Sequence, residues 1–224
     1  APRREEAACA DPPGPPPASG GRLRPVVLGI TGCTRSGKSW LARTVQERLK
    51  LPIGQSIVGQ DAFWARAVEL RTPAGEVLVS EEEPDCTDHD AFVRAIEDAT
   101  EEATVPEGHA RGCIIVEGFQ LVHDSRVPGL LDHIFMVDLG REECISRRSA
   151  PCGSLNPNPM STVECEKLVW PAHERYVQDR VLPLGGRVVR LRSPGSSEEV
   201  KQLAEAVCTA AGLAGPGRGP GSGA

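Results

Sequence analysis

Gly32-Cys33-Thr34-Arg35-Ser36-Gly37-Lys38-Ser39 follows directly on the apolar run Val26-Val27-Leu28-Gly29-Ile30-Thr31. Its fixed positions satisfy G-x-x-x-x-G-K-[ST], a loop whose backbone amides cradle phosphate groups. The apolar run reads as a buried strand, and Ser39-Trp40-Leu41-Ala42-Arg43-Thr44-Val45 opens a helical pattern. Strand, glycine loop and helix in that order are the setting in which such a loop holds a nucleoside triphosphate. Gly32 and Gly37 let the backbone approach the phosphates closely, and the amides from Gly32 through Trp40 point at the anion with the positive helix end behind them. Lys38 is expected to bridge the β- and γ-phosphates and the Ser39 hydroxyl to ligate Mg²⁺. The plain alternative is a glycine turn with a capping serine and a solvated lysine.

Working outward, the 224 residues suffice for one α/β domain with a substantial core. Aromatic residues make up only 4%, so that core must rest on aliphatic side chains. A net charge of −6 offers no polybasic field for nucleic acid or a membrane surface, and a phosphate ligand must be met locally. No apolar run approaches the roughly 18 residues of a membrane span. The amino terminus has charges and prolines where a signal peptide needs an apolar segment. Cys9, Cys33, Cys86, Cys113, Cys144, Cys152, Cys165 and Cys208 form no C-x-x-C pair and read as reduced, which points to an intracellular, cytoplasmic setting. Cys33 reads as a passive side chain, with a reactive thiol as the alternative.

Residues 1–24 and 212–224 are Pro- and Gly-rich and are expected to be disordered tails around a folded domain at 25–211. Inside it, apolar runs alternate with helical patterns. Strands are expected at Ser56–Gln60, Cys113–Glu117, His133–Asp138 and Gly186–Leu191, and helices at Asp88–Thr104, Arg141–Ser149, Trp170–Val181 and Glu198–Ala211. The expected fold is therefore α/β: a P-loop NTPase whose parallel five-stranded sheet is covered by helices on both faces. Ligands of such sheets lie beyond the carboxyl ends of the strands. Two acids fall there, Asp61 after the second strand and Glu117 at the end of the third. Each alone reads as a loop acid or cap; with the phosphate loop between them, both suit a phosphoryl-transfer site.

The segments Gly29 to Ser39, Gln60-Asp61-Ala62-Phe63-Trp64, Ile114-Ile115-Val116-Glu117-Gly118-Phe119, Glu142-Glu143-Cys144 with Arg147-Arg148-Ser149, and Val169-Trp170-Pro171 together resemble the nicotinamide riboside kinases, relatives of the uridine kinases. The resemblance implies ATP and Mg²⁺ as cofactors, a small-molecule nucleoside as substrate, and a lid at about 147–169. It implies that Asp61 takes the proton of the ribose 5′-hydroxyl and helps Ser39 hold Mg²⁺, with Glu117 and Lys38 also catalytic. It further implies that Asp61, Ala62, Phe63, Trp64, Glu81, Glu82 and Arg148 contact the nucleoside. Arg147 and the loop Gly195, Ser196, Ser197 would face ATP. Departures from the family pattern are Ala62 in place of a second acid, and Pro151 in place of a third lid arginine. The missing clamp charge leaves reduced activity, or a kinase-fold binding protein, as readings beside the kinase; Arg175 or Arg180 are candidate replacements. A uridine or cytidine kinase would share the fold and the residues around the phosphates.

Overall fold

The computed structural model describes residues 23–54, 56–71, 75–105, 111–151 and 159–213. The two expected tails lie almost wholly outside these residues. Strand β1 (Val26–Thr31) is buried at every position and leads through the glycine loop into helix α1 (Lys38–Arg48). Strand β2 (Ile57–Gly59) is shorter than its apolar run suggests, because Gln60 already belongs to a 3-10 turn, Gln60–Phe63. There follow β3 (Val68–Arg71) and β4 (Val77–Ser80), then α2 (His89–Glu102), whose first turn is capped by Asp88 accepting the Ala91 N–H at 2.9 Å. Strand β5 (Cys113–Gly118), the short α3 (Val127–Leu130), β6 (His133–Asp138) and α4 (Arg141–Ser149) complete the first half of the molecule. The chain closes with α5 (Thr162–Glu164), α6 (Trp170–Tyr176), β7 (Val188–Arg192) and α7 (Ser197–Ala210).

The main sheet has five strands in the order β2-β5-β1-β6-β7, every neighbouring pair parallel. Alternation along the strands divides their side chains between two cores. Val26, Leu28 and Ile30 of β1 and Phe135 and Val137 of β6 pack with Leu41, Val45, Val200, Ala204 and Val207 of α1 and α7. On the other face, Val27, Ile114, Val116 and Ile134 pack with Phe92 and Ile96 of α2 and with Tyr176. Two apolar faces explain why these strands read as unbroken hydrophobic runs. From β1 the chain moves to β2 on one side of the sheet, and later to β6 on the other. The crevice beyond the carboxyl end of β1 is thus a topological switch point, where such sheets bind ligands.

Two features depart from the expectation. An antiparallel hairpin, β3–β4, stands apart from the main sheet and carries the chain from Trp64 to Glu81. The helix expected from Trp170 begins earlier, at Thr162, where Ser161 and Glu164 form a reciprocal capping box. It continues through π-helical turns at Cys165–Val169 and Val177–Val181 into a 3-10 segment, Leu182–Arg187. Pro171 and Pro183 account for the irregularity. A proline ring clashes with the carbonyl four residues back, and those carbonyls, of Lys167 and Asp179, lie inside the two π turns that absorb the clash. Among the described residues no helix is long and apolar enough to cross a membrane.

Candidate active site

The loop between β1 and α1 is built on torsions that side chains resist. Gly32 has φ 153° and Gly37 φ 92°, with Arg35 between them at φ 61°. A Cβ on Gly32 would lie 2.5 Å from the Val137 carbonyl oxygen. The loop closes on itself through the Ser36 N–H, which donates to the Cys33 carbonyl at 3.2 Å. Inside this ring the Ser36 hydroxyl is buried and has no partner among the described residues. An unsatisfied donor in a cradle of backbone amides is the condition an anion would relieve. Lys38 opens α1 and is only 8% exposed. Beside it the Ser39 hydroxyl lies 3.0 and 3.1 Å from the two carboxylate oxygens of Glu117, to which it donates.

Glu117 ends β5, 9% exposed. Burial pushes its carboxyl up from the ordinary value, the nearby Lys38 ammonium pulls it back, and Asp61 raises it again. Glu82 behaves alike: burial raises it, against Arg148 and Lys38. Asp61 itself is exposed on the 3-10 turn. With Thr34, Lys38, Trp64, Glu81, Glu82, Phe119 and Arg148 it lines a cavity of about 250 Å³. The backbone explains this placement of Asp61 and Trp64. Ala65 N–H donates to the Cys86 carbonyl at 2.7 Å and Asp88 N–H to the Phe63 carbonyl at 2.8 Å, so the segment after β2 is pinned across the start of α2.

Phe63 requires a correction. Its ring packs on Phe92 with centroids 5.3 Å apart, within the core against α2, and it does not line the cavity. Alternation through the turn sends Trp64 toward the cavity and Phe63 away from it; Ala62, also expected there, is exposed and outside the lining. The second aromatic wall is Phe119, which sequence reasoning passed over although it stands two residues beyond Glu117 at a strand end.

The two arginines of α4 diverge. Arg148 lines the cavity. Arg147 donates to the Arg35 carbonyl at 3.1 Å and to the Ser193 hydroxyl at 3.0 Å, and pairs with Glu143. Ser193 in turn donates to the Ser36 carbonyl at 2.8 Å, and the Pro194 ring fills the space beside Gly37, within 3.3 Å of where a Cβ would sit. The segment after β7 is therefore braced against the glycine loop. Gly195 N–H donates to Glu199 at 2.6 Å, and Ser196 caps α7 by accepting the Glu199 N–H at 3.2 Å; Ser197 is its first, exposed residue. Arg175 is committed elsewhere, in an ion pair with Glu83 at 2.7 Å. Pro151 is described, but residues 152–158 of the expected lid lie outside the described residues.

Among the described residues no group of three or more His, Cys, Asp or Glu is arranged to hold a metal ion. Mg²⁺ does not ask for one: it is commonly held by one or two carboxylates, a hydroxyl and substrate phosphates. The oxygen donors of Ser39 and Glu117, side by side next to the loop, fit that ion.

No family model matches this chain. It is similar to the uridine kinase of Aeromonas hydrophila, with 26% identity over 189 residues, 72% of this chain and 88% of that protein. The uridine kinase of Clostridium novyi is also 26% identical, over 74% of this chain and 90% of its own length. Among solved structures, a protein from Silicibacter sp. TM1040 assigned as a fructose transport system kinase superposes with a TM-score of 0.51. It is 16% identical and spans 79% of this chain and 93% of its own, a likeness of fold.

Proposed function

We propose that the chain is an ATP-dependent nucleoside kinase that phosphorylates the ribose 5′-hydroxyl of nicotinamide riboside, giving the mononucleotide used for NAD synthesis. One observation carries the kinase reading: a glycine loop whose buried Lys38 lines a cavity together with Asp61, with a Ser39–Glu117 pair next to the same loop. The loop amides and Lys38 bind the triphosphate. Ser39, Glu117 and Asp61 would hold Mg²⁺, and the ion would supply charge neutralisation to the transferring phosphate. Asp61 accepts the proton of the 5′-hydroxyl as that oxygen attacks the γ-phosphorus and ADP leaves. Arg148 faces the acceptor, and Arg147 orders the loops on the nucleotide side. The similarity to uridine kinases over most of the chain supports the same reaction type.

The choice of acceptor rests on charge. Asp61, Glu81 and Glu82 line the cavity with Trp64 and Phe119, against Arg148 and Lys38. Once Lys38 is engaged by phosphate, the remaining balance is negative, and aromatic faces with carboxylates suit a cationic pyridinium ring. A second reading, uridine or cytidine as acceptor, is favoured by the names of the relatives.

The test is ADP release above the no-acceptor background, with Mg·ATP and nicotinamide riboside, uridine and cytidine in turn. Turnover highest with nicotinamide riboside is expected; turnover with the pyrimidines alone transfers the assignment to the second reading. Silence with all three leaves a nucleotide-binding protein. In the same assay Asp61→Asn is expected to lower the rate by about a hundredfold or more while leaving ATP affinity nearly intact. Full activity of that variant removes Asp61 from the role of base.

A further inference from the structure

We propose that Gln120 is a positioning residue for the acceptor side of the site, fixing Glu82 through its main chain; this rests on the nucleoside-kinase reading above. Gln60 is 1% and Gln120 4% exposed. The side-chain amide of Gln60 grips the backbone of residue 120 from both ends. Gln120 N–H donates to Gln60 Oε1 at 3.0 Å, and Gln60 Nε2 donates to the Gln120 carbonyl at 3.4 Å. Gly118 makes the space for this: a Cβ there would lie 2.3 Å from Gln60 Oε1 and 2.6 Å from its Cβ. The glycine between Glu117 and Phe119 therefore answers to a neighbouring side chain.

Held in this way, Gln120 Nε2 donates to the Glu82 carbonyl at 2.6 Å, while the Ser80 hydroxyl accepts the Glu82 N–H at 3.1 Å. Both main-chain groups of Glu82 are thereby engaged. Only its side-chain torsions remain free to aim the carboxylate, in the field of Arg148 and Lys38. The orientation of the Gln120 amide follows from its partner, since a carbonyl accepts and only the nitrogen can donate to it.

That orientation strands the other end. Gln120 Oε1 is buried without a hydrogen-bond partner among the described residues. Gln120 also lines, with Glu82, Phe119 and His173, a crevice of about 10 Å³, room for about one water. The amide thus commits its nitrogen to the Glu82 main chain, a pattern of positioning rather than of packing.

Gln120→Met separates the two. Steady-state kinetics of the full chain with the preferred nucleoside should show the acceptor KM raised by about tenfold, the worth of one hydrogen bond. The KM for ATP and the acceptor-free hydrolysis rate should stay within about twofold. Gly118→Ala, which displaces Gln60, should give the same acceptor-selective defect. An unchanged acceptor KM in Gln120→Met, or equal losses toward ATP and acceptor, overturns the proposal while leaving the kinase reading in place. A wild-type chain inactive on every nucleoside overturns that reading and the proposal together.

Discussion

Glu117 shows how function and stability oppose each other at a single side chain. Burial raises its carboxyl above the unfolded value of 4.5, net of the attraction of Lys38 and the hydrogen bond from Ser39. The folded chain then binds a proton at this position more readily than the unfolded chain does. With more protons on the folded side, stability falls as pH rises through the interval above 4.5, so the ionised acid at neutral pH is a cost. Replacing it by glutamine keeps an acceptor for Ser39 and removes the charge. The melting temperature of Glu117→Gln minus that of the wild type should therefore grow as pH rises from 4.5 toward neutrality, while phosphoryl transfer falls. A difference that is flat or shrinks with pH would mean that burial is not what governs this carboxyl. Glu82, raised for the same reason, belongs to the same class of strained acid.

At the scale of elements, the segment from Thr162 to Arg187 packs beside the site without being a regular helix, and brings Val169, Ala172 and His173 to the small crevice next to Glu82. Tyr176 anchors it. Its buried hydroxyl meets Thr31 Oγ1 at 2.8 Å and accepts the Val122 N–H at 3.2 Å, while Thr31 also reaches the Gly118 carbonyl at 2.9 Å. One phenol thereby ties the ends of β1 and β5 to the end of α6. Tyr176→Phe leaves the Val122 N–H buried without its acceptor, a loss of about 1–3 kcal/mol. Urea unfolding should show a lower midpoint with an unchanged slope; an unshifted midpoint would deny the anchor. This segment also marks where sequence reading stops. β1, β5 and β6 are buried on both faces, so each announces itself as an apolar run. The helix before Trp170 hides because π turns break the 3.6-residue period, although Ser161-Thr162-Val163-Glu164 spells a capping box. The hairpin β3–β4 hides because its strands are short and half-exposed, although Thr72-Pro73-Ala74-Gly75 lies between two alternating runs.

Over the whole molecule, strand order explains why distant motifs meet. Inserting β5 between β1 and β2 brings Glu117 beside Ser39 and across from Asp61, and β6 and β7 deliver Arg147 and the 193–197 segment to the other side of the loop. The groups proposed to meet phosphate or metal sit on short contiguous motifs, and the sequence displays them. The acceptor pocket is different. Phe119, Gln60 and Gln120 converge from segments some 60 residues apart, and Phe63 and Trp64 part company over one residue; such geometry exists only after folding. The most direct measurement is titration calorimetry of Mg·ATP into the chain and into Lys38→Met. One site per chain, abolished or severely weakened by the substitution, is expected of a triphosphate held by the Gly32–Ser39 loop. No binding, or binding indifferent to Lys38, would contradict it.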